Sequence, residues 1–364
     1  MKKILSIALA LCMLLALGVT AFADDAPAVA MITDYGDITD QSFNQTTYEA
    51  CKAFADANKL DFQYYKPASD SDEDRITSIE KAIDDGFTVI VMPGYAFGPA
   101  IQEVAPEYDD ITFIALDVSE GDIGDLAKDV PANLYCAVYQ EELCGYMAGY
   151  AAVKLGYTKL GFLGGMAVPA VVRYGYGFVQ GCDAAAAELG LKDVEVKYAY
   201  GNQFYGDSDI TAYMDTWYSA GTEVVFACGG GIFTSAGEAA AKVGGKVIGV
   251  DVDQAATIDG LYGEGITVTS AMKGLAATVE SALSAILDGS FEGGKVDTLG
   301  LVSDVPAENF VQIAGSTQFN DGFTEEDYAA LVAAMNAGDI TVSNDIDAEP
   351  AVTAITVDYQ GNIK

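Results

Sequence analysis

Histidine is absent from the 364 residues of this sequence. Ser-His-Asp and Cys-His nucleophile systems both need an imidazole base, so they are excluded. Zinc sites built on histidine are excluded for the same reason. Carboxylates alone can still support acid–base catalysis, so the composition disfavours an enzymatic function without eliminating it.

Basic residues are scarce: 18 Lys and Arg stand against 54 Asp and Glu. Proteins that bind nucleic acids or anionic membrane surfaces contact phosphates with clustered Lys and Arg. Neither partner is therefore expected for this chain. We interpret the acidic excess as a solubilising surface.

Disulfide signals are also missing, because none of the six cysteines belongs to a Cys-x-x-Cys pair. Cys12 lies in an N-terminal apolar run, which leaves an odd number in the rest of the chain. These five have apolar or small neighbours, and they are Cys51, Cys136, Cys144, Cys182 and Cys228. We therefore predict buried thiols rather than a disulfide framework.

A long uninterrupted apolar run occurs at the N-terminus of the sequence and nowhere else. Two lysines precede the apolar residues 4–19, and Ala-Phe-Ala at 21–23 is typical of a signal-peptidase site. The run barely reaches the roughly 18–20 residues that a membrane-spanning helix needs, so export with cleavage is favoured over an anchor. We predict that residues 1–23 are a secretory signal peptide and that the mature protein is extracytoplasmic, on the cell surface or secreted. Cys12 lies too deep in the run to indicate a lipidation site.

The rest of the sequence alternates apolar segments with segments of helical periodicity, and its length favours two domains. Near-continuous apolar strands separated by amphipathic helices are typical of parallel sheets covered on both faces. A helix predicted at 141–153 separates two series of predicted strands, which are 29–34, 61–65, 88–92, 111–116 and 134–138, then 160–163, 194–199, 223–227, 246–250 and 266–269. The second series repeats the first, so we expect an α/β protein with two lobes.

Three of the predicted strands end in an aspartate: Asp34, Asp117 and Asp251. In open α/β sheets, ligands bind at the carboxyl ends of the strands, so these carboxylates are expected around one crevice. Carboxylates accept hydrogen bonds and therefore suit a ligand with several hydroxyl or N–H donors. Taken singly, each aspartate is more often a helix cap or a turn residue. Acid–base chemistry and a divalent metal site are open alternatives at this point.

Aromatic residues near strand ends form a second signal. Phe43, Tyr95, Phe204 and Tyr205 lie in or beside polar loops, where a flat side chain can stack on a ring. For Tyr95 and Tyr205 we favour packing in the core or at a hinge. A further cluster has helical spacing and is interpreted as core: Tyr213, Met214, Trp217 and Tyr218.

Two weaker signals are the glycines at 229–231 and Lys273. The glycine run lacks the G-x-G-x-x-G pattern and a P-loop lysine, so it predicts neither a dinucleotide nor a phosphate site. It fits a tight turn or a close approach of backbone to ligand. Lys273 precedes a predicted helix at about 275–287, where the helix dipole disfavours a cation. We therefore expect a partner carboxylate or a bound acceptor beside it.

Several segments together resemble the BMP/PnrA-like family of basic membrane lipoproteins, which are nucleoside-binding proteins of ABC importers. The most specific are Thr-Asp-Tyr-Gly-Asp-Ile-Thr-Asp-Gln-Ser-Phe-Asn-Gln at 33–45 and Gly-Val-Asp-Val-Asp-Gln at 249–254. Shorter matches lie at 145–149, 161–166, 168–173 and 269–273. The resemblance covers most of the chain from about 29 to 290.

The resemblance implies a type I periplasmic-binding-protein fold, in which two doubly wound parallel-sheet lobes, joined by a hinge, close on a ligand. Lobe 1 would comprise residues 28–139 and about 253–295. Lobe 2 would comprise residues 140–252 and about 296–364.

The resemblance also implies a set of ligand-binding residues through the matching motifs. Phe43 and Phe204 would stack on opposite faces of a base. The polar edge of the base would meet Asp34, Asn44 and Asp117. The ribose hydroxyls would be held by Asp251 and Lys273, with the Gly230 backbone nearby.

The implied function is that of an extracytoplasmic substrate-binding protein that captures a nucleoside, with a purine base, for an ABC permease and ATPase. No catalytic residue, metal or cofactor is expected, and the protein is expected to be a monomer. One alternative is a sensory nucleoside receptor on the same scaffold. A less favoured alternative is a nucleoside hydrolase that relies on carboxylates. The family is usually lipidated, whereas this sequence has no clear lipobox.

Overall fold

The computed structural model describes residues 26–364. The predicted signal peptide, residues 1–23, lies outside the described residues. The strands of the described part are β1 (Val29–Ile32), β2 (Phe62–Tyr65), β3 (Val89–Pro93), β4 (Thr112–Leu116), β5 (Leu134–Tyr139), β6 (Lys159–Gly164), β7 (Glu195–Tyr200), β8 (Val224–Cys228), β9 (Lys246–Asp251), β10 (Thr267–Lys273), β11 (Lys295–Leu299), β12 (Val311–Ile313) and β13 (Thr356–Asn362). The α-helices are α1 (Phe43–Asn58), α2 (Asp72–Asp84), α3 (Gly98–Glu107), α4 (Glu141–Lys154), α5 (Pro169–Leu189), α6 (Ser208–Ser219), α7 (Phe233–Val243), α8 (Ala255–Tyr262), α9 (Leu275–Asp288) and α10 (Glu325–Asn336).

Two separate sheets divide the described chain into two lobes. The sheet of lobe 1 has the order β11-β5-β4-β3-β1-β2, and all of its pairs are parallel. The sheet of lobe 2 has the order β12-β10-β9-β8-β6-β7-β13. In this second sheet the short edge strand β12 runs antiparallel to β10, and the other pairs are parallel. The predicted two-lobed α/β architecture with parallel sheets is confirmed.

The chain crosses between the lobes three times, after β5, after β10 and after β11. Backbone hydrogen bonds tie the three crossing segments together. The Gln140 N–H donates to the Leu299 carbonyl at 2.9 Å, the Gly274 N–H donates to the Phe310 carbonyl at 2.7 Å, and the Phe310 N–H donates to the Gly300 carbonyl at 3.1 Å. The crossings therefore form one hinge rather than separate flexible linkers.

The predicted assignment of residues 253–295 to lobe 1 is wrong at both ends of that range. Strand β10 was assigned to lobe 1, but it pairs in parallel with β9 in lobe 2. Strand β11 begins at the predicted boundary and pairs with β5 in lobe 1. The return to lobe 1 thus occurs at Gly274, and the chain leaves lobe 1 again after Leu299. Hydrophobic pattern identifies a buried strand but not its neighbours in the sheet, which is why the pattern missed these crossings.

The central strands are apolar on both faces because helices cover both sides of each sheet. All residues of β1, β3 and β8 are buried. Side chains cap the starts of three helices: Ser71 caps α2, Asp207 caps α6, and Thr324 with Asp327 forms a capping box at α10.

Helices α4 and α5 pack unusually closely, with glycines where their backbones meet. A Cβ on Gly177 would lie 2.1 Å from the Glu142 carbonyl oxygen, and one on Gly145 would lie 2.2 Å from the Tyr174 carbonyl oxygen. Neither distance is compatible with a larger residue unless the helices separate. Since α4 begins at the hinge and α5 begins at the cleft between the lobes, this contact sets the position of the groups at both helix starts.

Two further predictions concern the core and the membrane. The five cysteines of the described chain are buried and free, as predicted. Met214, Trp217 and Tyr218 are buried in lobe 2, which confirms them as core residues. No helix within residues 26–364 has the length and apolar character needed to cross a bilayer.

Candidate functional site

A cavity of about 700 Å³ lies between the two lobes, at the carboxyl ends of the parallel strands. The structure brings all of the sequence-predicted site residues to this one cavity. They are Asp34, Phe43, Asn44, Asp117, Phe204, Gly230, Asp251 and Lys273. Lobe 1 supplies Asp34, Phe43, Asn44 and Asp117, and lobe 2 supplies the other four.

The backbone at the rim of the cavity is held in the left-handed conformation at four residues other than glycine. These residues are Gln41, Asp117, Asn202 and Asp251, with φ of 59°, 58°, 59° and 65°. Aspartate and asparagine tolerate this conformation better than most residues, yet it still stores strain. Asp117 directly follows β4, and Asp251 is the last residue of β9. At both residues the left-handed conformation turns the chain at the strand end, and both residues line the cleft.

Lys273 is the centre of the polar network. Its ammonium nitrogen lies 2.5 Å from Asp117 Oδ2, 3.6 Å from Glu141 Oε1 and 3.7 Å from Asp251 Oδ1. Burial by itself lowers the pKa of Lys273, but these three carboxylates outweigh burial and hold the pKa above its usual range. The lysine is therefore a fully charged donor. Lys273 is the last residue of β10 and precedes α9 by two residues, and the expected partner carboxylate is present.

Three aromatic rings surround the same ammonium group. The nitrogen lies 4.7 Å from the ring centre of Phe43, 5.5 Å from that of Tyr139 and 5.8 Å from that of Tyr174. The cation lies over each ring, at a distance where attraction between a cation and the negative face of the ring operates. Phe43 is therefore held at the wall of the cavity by lobe 2 as well as by its own helix.

Asp251 is fixed by donors from both lobes. Ser42, at the start of α1 in lobe 1, donates its hydroxyl to Asp251 Oδ2 at 2.6 Å, and the Tyr174 hydroxyl lies 3.4 Å from Oδ1. Burial raises the pKa of Asp251, and Lys273 and Ser42 act against that rise. The carboxylate retains acceptor capacity toward the cavity, because an ionised carboxylate has about four lone-pair sites.

Asp34 and Asn44 supply further polar groups to the site from lobe 1. Asp34 Oδ1 accepts the backbone N–H of Tyr35 at 2.6 Å and that of Gly36 at 2.8 Å. Burial raises the pKa of Asp34 despite these bonds. Asn44 donates its amide to Asp40 Oδ2 at 3.1 Å, which turns its own carbonyl oxygen away from Asp40.

Among the predicted site residues, two buried oxygens accept no hydrogen bond from any residue in the described part of the chain. They are Asn44 Oδ1 and Asp117 Oδ1. A buried acceptor that is left unpaired costs about 1–3 kcal/mol. Both atoms belong to residues that line the cavity, so donors on a bound ligand would remove that cost.

Phe204 comes from the loop that joins β7 to α6 and lies against glycine backbone. A Cβ on Gly165 would lie 2.4 Å from the Phe204 ring, and the Gly231 N–H donates to the Phe204 carbonyl at 2.9 Å. The backbone at glycines 229–231 therefore lies close to the Phe204 ring and to the cavity. A close approach of this backbone to a ligand was one of the two interpretations that the sequence allowed.

Tyr95 and Tyr205 were predicted to pack in the core or hinge, and that prediction is wrong. Both line the cavity, and Tyr205 is 62% exposed. Sequence spacing could not separate these environments, because a tyrosine beside a strand end fits either one.

Three important residues were missed by the sequence analysis: Ser42, Glu141 and Arg173. Glu141 is fully buried at the start of α4, and its Oε2 accepts from Arg173 Nε at 2.7 Å. Burial raises the pKa of Glu141, while Arg173 and Lys273 oppose the rise. A glutamate in the first turn of a helix is ordinary in sequence, so only its contacts distinguish it.

The charges of the cavity are strongly unequal. Its lining includes the aspartates 34, 37, 40, 70, 117, 122 and 251, but only two cationic side chains, Arg173 and Lys273. Both cations already pair with carboxylates. Such a site suits a neutral ligand rich in hydroxyl and N–H donors and disfavours an anion. Within residues 26–364, no group of three or more His, Cys, Asp and Glu side chains is arranged to hold a metal ion.

Solved structures of solute-binding proteins share this architecture. One from Conexibacter woesei superposes with a TM-score of 0.69 at 23% identity and covers 88% of this chain and 99% of that one. Another from Aeropyrum pernix gives a TM-score of 0.68 at 20% identity and covers 88% of each chain. These likenesses confirm the predicted type I periplasmic-binding-protein fold.

Characterised relatives align over most of the chain. The "ABC transporter nucleoside-binding protein BmpA" of Lactococcus lactis is 28% identical over 290 residues, which are 75% of this chain and 78% of that protein. "Basic membrane protein A" of Borreliella burgdorferi is 27% identical over 292 residues, which are 79% of this chain and 80% of that protein.

A family model described as "ABC transporter substrate-binding protein PnrA-like" matches residues 28–315. This range contains every residue of the cavity network described above. The chain therefore belongs to the Bmp family of PnrA-like ABC transporter substrate-binding proteins.

Proposed function

We propose that this protein captures a nucleoside with a purine base between its two lobes and delivers it to the permease and ATPase of an ABC importer. The observation that carries the proposal is the position of Phe43 and Phe204, one from each lobe, in a single cavity whose charged side chains are mostly aspartates. Stacking on an aromatic ring contributes about 1–3 kcal/mol per base.

The sugar half of the ligand is assigned to the Asp251–Lys273 end of the cavity. Ribose hydroxyls can donate to the free lone pairs of Asp251 and accept from the Lys273 ammonium. Hydrogen bonds to charged groups of this kind contribute about 1.5–3 kcal/mol each. Asp251 is already oriented by Ser42 and Lys273, so ligand binding does not need to order it.

The base edge is assigned to Asp34, Asn44 and Asp117. The two unpaired oxygens, Asn44 Oδ1 and Asp117 Oδ1, are acceptors that ring N–H or amino groups of a base would satisfy. Free Asp34 Oδ2 adds a further acceptor at the same end, because the backbone N–H groups occupy Oδ1.

Contacts across the cleft support capture by lobe closure. From lobe 1, the Gln41 carbonyl accepts from Gln254 Nε2 at 3.0 Å and Ser42 bonds to Asp251 at 2.6 Å. The Asp117–Lys273 ion pair also joins the two lobes. A ligand that contacts both lobes favours this closed arrangement, since an open one offers only half of the site.

The transport role follows from family membership and from the name of the Lactococcus relative, which is a nucleoside-binding protein. In line with the N-terminal sequence pattern, we place the mature protein outside the cytoplasm. We also propose that it is a monomer. The acidic cavity also predicts that nucleotides are rejected, because a phosphate would lie among aspartates with no free cation.

Isothermal titration calorimetry of residues 24–364 tests the proposal, with adenosine, guanosine, inosine, adenine, ribose and AMP as titrants. The expected result is saturable binding of nucleosides, weaker binding of the base, and weakest binding of ribose and AMP. Binding of ribose more tightly than any nucleoside would refute the proposal. Chromatography of a long incubation with inosine is the companion assay: intact inosine supports a binding protein, whereas released hypoxanthine and ribose would identify a hydrolase.

A further inference from the structure

The C-terminal strand β13 lies beyond residues 28–315, the range that the family model matches. It adds an edge strand to lobe 2 and pairs in parallel with β7. Most of its residues are half-buried or exposed, so it contributes little to the core. The two residues that follow β13, Ile363 and Lys364, reach the two ends of one loop of the ligand site.

That loop, residues 201–207, joins β7 to α6 and carries Phe204 and Tyr205; we call it the aromatic loop. Both aromatic residues line the cavity. Little of the loop is anchored in the core, since among its residues only Gly201 is fully buried. The Gly231 N–H holds the Phe204 carbonyl from outside the loop, and the rest of the placement of Phe204 depends on what holds the two ends of the loop.

The C-terminus contacts both ends of the aromatic loop. At its start, the Ile363 N–H donates to the carbonyl of Tyr200, the last residue of β7, at 2.8 Å. At its end, the Lys364 ammonium pairs with the Asp207 carboxylate. Asp207 also accepts from Gln203 Nε2 at 3.0 Å and caps α6 through the Asp209 and Ile210 N–H groups.

A bulge in β13 makes a third contact, with the helix that follows the loop. Tyr359 pairs with Tyr198 and Gly361 pairs with Ala199, so Gln360 is an extra residue in the strand. Bulges of this kind redirect a side chain. Gln360 Oε1 accepts from the Tyr213 hydroxyl at 2.8 Å and from Trp217 Nε1 at 3.0 Å.

We propose that the C-terminal segment 356–364 is a positioning element of the ligand site: it holds the aromatic loop at both ends and thereby places Phe204 against the bound base. The inference deepens the proposed function and rests on it. Segment 356–364 touches no ligand itself. It acts on affinity through Phe204, and its removal lets the loop sample positions in which the ring no longer lines the cavity.

Three proteins test this positioning role: a chain that ends at Ile355, the milder double variant Gln360→Ala/Lys364→Met, and the control Lys128→Met. The control substitution removes an exposed ion pair between Lys128 and Asp125 in lobe 1, whereas the aromatic loop belongs to lobe 2. Calorimetry with inosine is run for each in the wild-type background and in a Phe204→Ala background. Trp217, the single tryptophan, reports docking of β13 through its emission, because its N–H bonds to Gln360.

The truncated chain should bind inosine about tenfold more weakly, which corresponds to about 1.4 kcal/mol. In the Phe204→Ala background the same truncation should change affinity less than about twofold, since residues that act as a unit are not additive. The double variant should show the same pattern with a smaller loss, and Lys128→Met should match the wild type. Unchanged affinity after truncation, or an equal loss in both backgrounds, would overturn the inference.

Hydrogen exchange of the ligand-free protein separates this inference from the proposed function. Amides 201–207 should exchange faster in the truncated chain and in the double variant than in the wild type. Identical exchange would show that the segment does not order the loop. A wild-type chain that binds no nucleoside but shows faster loop exchange on truncation would refute the proposed function and leave the ordering role established.

Discussion

Replacing Asp251 by asparagine gives the sharpest separation of the two halves of the proposed ligand. The substitution keeps the size of the side chain but removes its charge and converts one acceptor oxygen into a donor. Ser42 and Tyr174 use one lone pair on each oxygen of Asp251. About two acceptor positions therefore remain for ribose hydroxyls.

The expected loss follows from those two positions. Asparagine keeps one uncharged acceptor and loses the other, and each hydrogen bond from a hydroxyl to a charged acceptor contributes about 1.5–3 kcal/mol, so the loss for adenosine is about 1.5–3 kcal/mol. That corresponds to a more than tenfold increase in Kd. Adenine has no ribose, and its Kd should change less than about threefold because Asp34, Asn44 and the two phenylalanines are untouched.

Calorimetric titrations of adenosine and adenine against wild type and Asp251→Asn measure both changes. The matched control is Asp253→Asn, two residues along the chain, where the carboxylate is exposed and bonds to Ser316 and the Ala255 N–H. The control should bind both compounds as the wild type does. Equal losses for adenosine and adenine in Asp251→Asn would refute the assignment of Asp251 to the sugar.

Three further outcomes follow from the structure. Phe43→Ala should weaken nucleoside binding by about 1–3 kcal/mol through lost stacking, measured by calorimetry, and an unchanged Kd would contradict the role of the ring. Glu142 is buried in the α4–α5 contact, and burial raises its pKa from 4.5 to about 7. The folded protein therefore binds the proton of Glu142 more tightly than the unfolded chain does. This proton binding contributes up to about 3 kcal/mol to the free energy of unfolding, and the contribution is lost as pH rises from about 4.5 to 7. Denaturant unfolding of Glu142→Gln at pH 4.5 and pH 8 should show a gain over wild type at the higher pH only, and a gain that is equal at both pH values would contradict the raised pKa. Gly177→Ala should lower Tm by several degrees in calorimetric scans because a Cβ there meets the Glu142 carbonyl at 2.1 Å, and a Tm equal to wild type would show that the helices separate freely.

Much of the fold could be predicted from local signals. Strands such as β3 and β8 are continuous apolar runs, and the structure places them within one or two residues of the prediction. Asp34 and Asp117 converge because the parallel strands of lobe 1 end at one edge, and Asp251 ends a strand of lobe 2 whose carboxyl edge borders the same cavity. This is why Asp34, Asp117 and Asp251 reached the same cavity.

Features that depend on distant partners could not be predicted. Strand β10 looks the same in sequence whether it joins β9 or the other lobe, so the second crossing was misplaced. Strand β13 is partly polar and gains its place only by pairing with β7. Ser42 and Glu141 have ordinary positions at helix starts, and their roles come from contacts with Asp251 and Lys273, more than a hundred residues away.

The central claim is that the two lobes clasp one heterocycle and its sugar in the cavity between them. A crystal structure of the protein with guanosine tests it most directly. The account predicts electron density for the base between the rings of Phe43 and Phe204 and for the ribose beside Asp251 and Lys273. Density for guanosine outside that cavity, or a structure in which the two phenylalanines face separate cavities, would contradict the account.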